Sequence, residues 1–144
     1  MDDIGDIGNM NDGAASRSMG TRHRRKTVLV VDDDRDARGL LTAVLEGAEY
    51  DVLQAGNGAE ALRVLSVHAA DCNIILLDLM MPVMNGWDFR RKQRESVDLA
   101  GIPVLLMSAG AHMDAASGDM DVVGFMTKPV EVDDLLAKVK KHCA

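Results

Sequence analysis

The stretch Ile74-Ile75-Leu76-Leu77-Asp78-Leu79-Met80-Met81-Pro82 decides the fold of this chain. Four consecutive aliphatic residues are typical of a strand that is buried on both faces, as in a parallel sheet covered by helices. A lone carboxylate, Asp78, follows these four residues directly. Because Asp78 precedes Pro82 by four residues, it is not placed to cap the next helix, and a functional role becomes the better interpretation.

Further apolar runs of strand length lie on both sides of this stretch. They are Val28 to Val31, Tyr50 to Leu53, Ile102 to Met107 and Val122 to Met126. Between them, apolar residues recur at helical spacing. The predicted inner helix faces contain Leu40, Leu41, Val44 and Leu45, then Ala61, Leu62 and Leu65, and finally Val132, Leu135, Leu136 and Val139, with a further helix over Trp87 to Glu95. Five βα units follow, so we predict an α/β fold with a doubly wound, five-stranded parallel sheet and five helices.

Length and charge limit the function. The 144 residues fit one domain, and the net charge of -7 leaves no overall basic surface for nucleic acid or anionic membranes. The apolar runs are too short to span a membrane, and the two cysteines do not indicate a disulfide framework. We therefore expect a cytoplasmic protein with no membrane insertion and no direct DNA binding.

The chain divides at its charge pattern into two parts. Residues 1–26 contain four Asp and five basic residues with almost no periodic apolar pattern, which predicts a disordered N-terminal leader. Residues 27–144 are predicted to form the folded domain. Within it, Arg90, Arg91, Lys92 and Arg94 form a basic stretch on the third helix, which we interpret as a solvated helix face that an acidic partner could also contact.

Polar residues follow the apolar strands at the points where a parallel sheet binds its ligands. They are Asp32, Asp33 and Asp34 after the first strand, Asp78 after the third, Ser108 after the fourth, and Thr127 and Lys128 after the fifth. Each has an ordinary explanation alone, as a helix cap, a core serine or a loop lysine. Their joint placement at one sheet edge favours a shared site instead.

The chemistry of such a site is narrow. Crowded carboxylates repel one another unless a cation is bound, and an all-oxygen ligand set suits Mg²⁺ better than zinc. An Asp beside Mg²⁺ can attack phosphorus and form an aspartyl phosphate. Lys128 would then neutralise the phosphoryl oxygens, and the Ser108 hydroxyl would donate a hydrogen bond to one of them.

Four motifs in order resemble the receiver domain of two-component response regulators. They are Val28 to Asp34, Leu76 to Gly86, Pro103 to Ala109, and Phe125 to Pro129, and the resemblance covers about residues 27 to 142. It implies a flavodoxin-like fold with strand order 2-1-3-4-5. It also implies that residues 27–144 are a receiver (response regulatory) domain.

The resemblance also assigns roles. Asp78 matches the phosphoacceptor, while Asp32 and Asp33, with Asp78 and the backbone carbonyl of Met80, match the Mg²⁺ ligands. Ser108 and Lys128 match the family's hydroxyl and lysine. Phe125 matches the switch aromatic that turns when the hydroxyl moves onto the phosphoryl group, and Asp34 is left as a surface or capping residue.

The implied function is that of a single-domain response regulator. A histidine kinase or histidine phosphotransfer protein would supply the phosphoryl group, and a changed surface on the fourth helix, fifth strand and fifth helix would signal to an unknown downstream protein, or the phosphoryl group would pass onward. Such a protein is not a dedicated multiple-turnover enzyme. Only Pro129 to Ala144 follow Lys128, so we expect no attached effector domain.

Two alternatives stay open. Asp32-Asp33-Asp34 fits the Asp-x-Asp pattern of haloacid-dehalogenase-like phosphatases, but Asp36 stands where they need Thr or Val, and they need more chain. A receiver-like interaction module that takes no phosphate is the other. The presence of Asp33, Asp78, Ser108 and Lys128 together argues against it.

Two departures from the family pattern carry expectations. Only 19 residues separate Ser108 from Lys128, and glycines among them predict a short or loosely held fourth helix. Met80 and Gly110 flank the expected path of water to the acyl phosphate. Because neither can position an attacking water, we expect a long-lived phosphorylated state.

Overall fold

The computed structural model describes residues 25–109 and 120–143. These residues form five strands and four helices. In chain order they are β1 (Thr27–Val31), α1 (Arg35–Gly47), β2 (Asp51–Ala55), α2 (Gly58–His68), β3 (Cys72–Asp78), α3 (Gly86–Glu95), β4 (Val104–Ser108), β5 (Gly124–Thr127) and α4 (Val132–His142).

All strand pairs are parallel, and the sheet order is β2-β1-β3-β4-β5. This confirms the predicted α/β class, strand count and order. The described residues contain four helices rather than the predicted five. The missing helix was predicted between Ser108 and Lys128, where residues 110–119 lie outside the described part, as do residues 1–24 of the predicted leader.

Apolar residues of the central strands are buried on both faces of the sheet, as their continuous runs predict. Leu29, Ile75 and Leu77 pack into a cluster that includes residues of α2 and α3. Ile74 and Leu76 face the opposite way, into a cluster that includes residues of α1 and α4. Alternate residues of one strand therefore serve two cores, and neither face of β3 is left to solvent.

Two residues predicted on inner helix faces are exposed instead. Leu40 is 65% exposed and Val132 is 46% exposed. In α1 the buried positions are Leu41, Thr42 and Leu45, so Leu40 lies about one residue's rotation, roughly 100°, outside the packed stripe. Val132 is the first residue of α4 and lies one turn before the packed Leu135.

The predicted bounds of β2 and β5 also shift. β2 is Asp51–Ala55 rather than Tyr50 to Leu53, and β5 is Gly124–Thr127 rather than Val122 to Met126. Asp121, which directly precedes the predicted β5, has a φ of 50°, so the chain is not extended at that residue. Among the helices of the described ranges, none has the length and apolar character needed to cross a bilayer.

Val83 has a strained backbone in the loop between β3 and α3. Its φ is 69°, and the N–H of Met84 donates to the carbonyl of Pro82 at 2.7 Å across it, forming a tight three-residue turn. A β-branched residue rarely adopts this conformation. The side chain is 86% exposed, so no packing offsets the strain.

We expect Val83→Gly to be more stable than the matched variant Val97→Gly by about 1 kcal/mol in free energy of unfolding. Val97 is 96% exposed and is absent from the residues with positive φ. Both changes add the same flexibility to the unfolded chain, and only the first relieves strain. Urea unfolding of both variants measures the difference, and equal stabilities would contradict the strain at Val83.

Candidate functional site

The carboxyl edge of the sheet brings four strand ends together. Asp32 follows β1, Asp78 ends β3, Ser108 ends β4, and Lys128 follows β5. The register places Val31 beside Leu77, Asp78 beside Met107, and Ser108 beside Thr127. The side chains that the sequence predicts to converge therefore do lie at one edge.

Three carboxylates form a cluster at this edge. Asp32, Asp33 and Asp78 each offer an oxygen, and these oxygens all lie within 4.8 Å of one another. Asp32 is fully buried and Asp78 is 4% exposed, whereas Asp33 is exposed. The cluster is thus open to solvent on the Asp33 side and enclosed on the other.

Lys128 neutralises the buried part of the cluster. Its Nζ lies 2.9 Å from Oδ2 of Asp32 and 3.2 Å from Oδ2 of Asp78. The ammonium group thereby joins the ends of β1 and β3 to the chain after β5. Since Lys128 is only partly exposed, this ion pair is less screened than a surface pair.

Local backbone contacts hold the acidic loop after β1. Oδ1 of Asp32 accepts from the N–H of Asp34 at 2.9 Å. Asp34 in turn caps α1, because its side chain accepts from the N–H groups of Asp36 and Ala37. This confirms the capping interpretation of Asp34, which is not among the clustered carboxylates.

The pKa values of Asp78 and Lys128 are both raised by their surroundings. Burial raises the pKa of Asp78 above its ordinary value. The charge of Lys128 lowers the pKa and the charge of Asp32 raises it, and the net result is still a raised pKa. Burial lowers the pKa of Lys128. The hydrogen bond to Asp32 and the charge of Asp78 raise it by more than burial lowers it, so the pKa of Lys128 is above its ordinary value. Lys128 therefore stays charged beside a carboxylate that is costly to ionise without more positive charge.

Ser108 ends β4 at this edge, and Phe125 lies two residues before Thr127, the last residue of β5. The Oγ of Ser108 is buried and has no hydrogen-bond partner among the described residues. Its hydrogen-bonding capacity is therefore not used by the described residues. Phe125 pairs with Leu106 in the register, and its side chain is 47% exposed.

Residues 28–140 match the family model of the response regulator receiver domain. The chain belongs to this family. Receiver domains act in two-component systems, take a phosphoryl group on Asp and bind Mg²⁺ at an acidic pocket. They are signalling domains rather than dedicated enzymes.

Curated relatives are response regulators that are longer than this chain. The DNA-binding dual master transcriptional regulator RpaA of Synechocystis is 36% identical over 115 residues, covering 78% of this chain and 47% of RpaA. The DNA-binding response regulator MtrA of Mycobacterium tuberculosis is 34% identical over 118 residues, covering 81% of this chain and 50% of MtrA. This receiver domain thus spans about half the length of these relatives, and they give no support to the expectation of no DNA binding.

A solved structure agrees with the fold. The chemotaxis response regulator CheY4 of Vibrio cholerae superposes with a TM-score of 0.73 at 27% identity, covering 82% of this chain and 98% of that one. This likeness extends over nearly the whole of a single receiver domain.

The acidic residues of this receiver domain fit the Mg²⁺ that its family binds. Three carboxylates contribute oxygen atoms within 4.8 Å of one another. Mg²⁺ prefers oxygen ligands and needs only one or two carboxylates together with waters and phosphate oxygens. The raised pKa of Asp78 fits as well, because a second cation would favour its ionised form.

Gly86 is a residue near the site whose role the sequence pattern did not reveal. Its N–H donates to the carbonyl of Leu79 at 2.9 Å, which ties the start of α3 to the chain just after Asp78. A Cβ at this position would lie 2.5 Å from the carbonyl oxygen of Asp78 and 2.8 Å from Cα of Leu79. Only glycine fits this close approach of two backbones. The signal for it is the Asn85-Gly86 pair after Pro82.

We expect Gly86→Ala to lower the free energy of unfolding by about 1–3 kcal/mol and to slow phosphorylation, because the added methyl group pushes on the backbone of Asp78. Gly39→Ala is the matched control, since a Cβ at Gly39 would meet nothing within 4 Å. Gly39 lies inside α1, so alanine there should stabilise the protein by about 0.5–1 kcal/mol. Urea unfolding and a phosphorylation time course check both, and an equal response of the two variants would contradict the role of Gly86.

Arg90 corrects the interpretation of the basic stretch on α3. The stretch was expected to be a solvated face, but Arg90 is only 6% exposed. Its guanidinium donates to the carbonyls of Met120 at 2.8 Å and Asp121 at 2.7 Å, and to Oε1 of Gln93 at 2.8 Å. Arg90 thus joins α3 to the chain that leads into β5, a contact that helical spacing alone does not show.

Proposed function

We propose that this receiver domain accepts a phosphoryl group on Asp78. The observation that carries the proposal is the position of its carboxylate, which is 4% exposed, 3.2 Å from the Nζ of Lys128, and clustered with Asp32 and Asp33. No other carboxylate of the described residues combines burial at this edge with contact to that lysine except Asp32. Asp32 is fully buried, so Asp78 is the better nucleophile of the two.

The residues that would hold Mg²⁺ are Asp32, Asp33, Asp78 and the backbone carbonyl of Met80. Bound there, the ion would supply positive charge to the phosphoryl oxygens and to the reacting carboxylate. The N–H of Met80 donates to Oδ1 of Asp78 at 3.3 Å, which helps to orient the nucleophile.

The reaction is a transfer between two proteins. A carboxylate oxygen of Asp78 attacks the phosphorus of a phosphohistidine; the P–O bond forms, the P–N bond breaks, and the electron pair returns to the imidazole of the donor. Lys128 contacts Asp78 and stabilises the charge on the transferring group. The unpartnered Oγ of Ser108 is free among the described residues to donate to a phosphoryl oxygen.

Ser108 and Phe125 supply a two-state switch in this proposal. Movement of the Ser108 hydroxyl onto the phosphoryl group opens space near the end of β4, into which the exposed ring of Phe125 can turn. The surface around β5 then differs between the two states. The partners are a histidine kinase or histidine phosphotransfer protein and a downstream protein that reads this surface, or an onward phosphoryl acceptor.

We propose that this receiver domain signals without contacting DNA directly. Its net charge of -7 supports this view, since DNA binding depends on basic surfaces. The test is binding of this chain to DNA fragments at low salt in both phosphorylation states. Binding that survives about 0.2 M salt would overturn this part of the proposal.

Acetyl phosphate and Mg²⁺ with intact-mass analysis test the function itself. Receiver function predicts one added phosphoryl group per chain. A haloacid-dehalogenase-like phosphatase predicts continuous turnover that depends on Asp32, and a phosphorylation-independent interaction module predicts no change in mass. Transfer from a panel of phosphorylated histidine kinases then identifies the donor.

The phosphorylated state should last for minutes or longer. Met80 is 51% exposed beside Asp78 and has no group that could orient an attacking water. We expect Met80→Gln to shorten the lifetime several-fold, whereas Val83→Gln, an exposed change in the same loop, should leave it unaltered. Intact-mass measurements over time follow the loss of phosphate. Loss from the unaltered protein within seconds would contradict the expectation.

A further inference from the structure

Helix α3 borders a surface groove of about 460 Å³. Its lining is Trp87, Arg90, Arg91, Arg94, Glu95 and Met120, and we call it the arginine groove. The proposed function uses none of these residues. Among the described residues, this lining contains three arginines and one acidic residue, Glu95, although the whole chain has a net charge of -7. Arg91 also pairs with Asp88, which lies outside the lining.

One arginine of the arginine groove is held in place by hydrogen bonds to the backbone. Arg90 lies buried in its wall, held by the carbonyls of Met120 and Asp121. Burial and the neighbouring charge of Arg94 lower the pKa of Arg90, so these two cations lie close enough to repel. Trp87 is half-buried beside them and adds an apolar surface to the basic one. An anionic segment with some apolar side chains is the ligand that such a surface suits.

We propose that the arginine groove binds the acidic first twelve residues of this same chain, Met1 to Asp12. This segment carries Asp2, Asp3, Asp6 and Asp12 and no Lys or Arg. Its apolar residues Ile4, Ile7 and Met10 recur at every third position. The aspartates complement the guanidinium groups of Arg91 and Arg94, and the apolar residues complement the indole of Trp87.

The connecting chain is long enough for this contact. Arg25, the first described residue, lies just before β1 at the amino edge of the sheet. Helix α3 is followed in the chain by β4, which begins at the same edge. β1 and β4 are separated only by β3, so their axes lie about 10 Å apart. Residues 13–24 can span roughly 40 Å when extended. Arg25 also lines a cavity with His68 of α2, and α2 and α3 pack on the same face of the sheet.

Acrylamide quenching of Trp87 tests the contact in the full chain. Trp87 is the only tryptophan, and acrylamide is neutral, so its access reports covering rather than charge. A chain with all four aspartates of the segment changed to Asn should show a quenching constant about twofold higher, and 1 M NaCl should raise the unaltered protein to the same value. The matched control neutralises four exposed acids elsewhere, Glu46, Glu49, Glu131 and Asp133, and should leave quenching unchanged.

A synthetic peptide of residues 1–12 completes the test. Added to the four-Asn chain, it should restore the protection of Trp87, and Arg91→Gln with Arg94→Gln should abolish that restoration while circular dichroism confirms folding. Equal quenching of the unaltered and four-Asn chains would overturn the proposal. Protection that rises with protein concentration would overturn it too, since the occupant would then be the segment of a second copy. Because none of these readouts involves phosphate, failure here leaves the proposed function unaffected.

Discussion

Asp78→Asn should abolish phosphorylation of this receiver domain. The amide is nearly the same size as the carboxylate but is not a nucleophile towards phosphorus, so the rate of phosphoryl uptake should fall by at least about 100-fold. Intact mass after incubation with Mg²⁺ and acetyl phosphate should show one added phosphoryl group on the unaltered chain and none on the variant. A chain that still gains the group would place the phosphoacceptor elsewhere, with Asp32 and Asp33 as the next residues to change.

Asp34→Asn is the matched control for this result. It makes the same chemical change two residues from Asp32. The side chain of Asp34 caps α1, and Asn can cap a helix equally well. Phosphorylation of this control should proceed at the normal rate.

Folding of Asp78→Asn should be intact. Because the folded pKa of Asp78 is raised, its contribution to stability is present below the unfolded pKa and is lost as pH rises through the folded pKa. At pH 7 without Mg²⁺ the variant should therefore have a Tm equal to or above that of the unaltered protein. A lower Tm would mean that the ion pair with Lys128 outweighs the burial of the carboxylate.

Arg90→Met should be the most destabilising of the arginine-to-methionine changes on α3. Methionine keeps the apolar stem but leaves the carbonyls of Met120 and Asp121 and the side chain of Gln93 without the guanidinium donor. Unsatisfied buried acceptors of this kind are costly, and we expect a loss of about 2–4 kcal/mol in the free energy of unfolding. In urea, the midpoint should fall with an unchanged slope.

Arg91→Met is the control for Arg90. Arg91 is exposed and, within the described part of the chain, its ion pair is with Asp88 one turn away, an interaction expected to contribute about 0.5 kcal/mol or less. Arg90→Lys should fall between the two, because an ammonium group keeps the charge but replaces only part of the hydrogen bonding. A loss at Arg90 no larger than at Arg91 would contradict the buried network.

Much of the fold follows from short-range patterns. The runs Val28 to Val31 and Ile74 to Leu77 can be satisfied only by burial on both faces, and this requires helices on both sides of the sheet. Strand ends then collect at one edge, so Asp32, Asp78, Ser108 and Lys128 could be placed together without coordinates. The strand order itself came from resemblance to a family, because hydrophobic pattern does not choose between neighbours.

The errors have a common cause in packing between distant segments. Leu40 has the helical spacing of a core residue, but the stripe of α1 that meets the sheet is centred on Leu41 and Leu45. Arg90 has the composition of a surface residue, but it meets the carbonyls of a segment thirty residues away. Gly86 looks like an ordinary turn glycine until the backbone of Asp78 is seen 2.5 Å from where its Cβ would be.

The chain's pattern of buried runs and polar strand ends was enough for the fold class and for most of the candidate site, because both depend on periodicity and on where strands stop. The pattern did not give the distances between side chains or the burial of polar side chains. That Lys128 bridges Asp32 and Asp78, that the hydroxyl of Ser108 has no partner among the described residues, and that a guanidinium is buried on α3 all depend on side chains from different elements meeting in space. Such contacts result from the packing of the whole domain, since no local segment contains both partners.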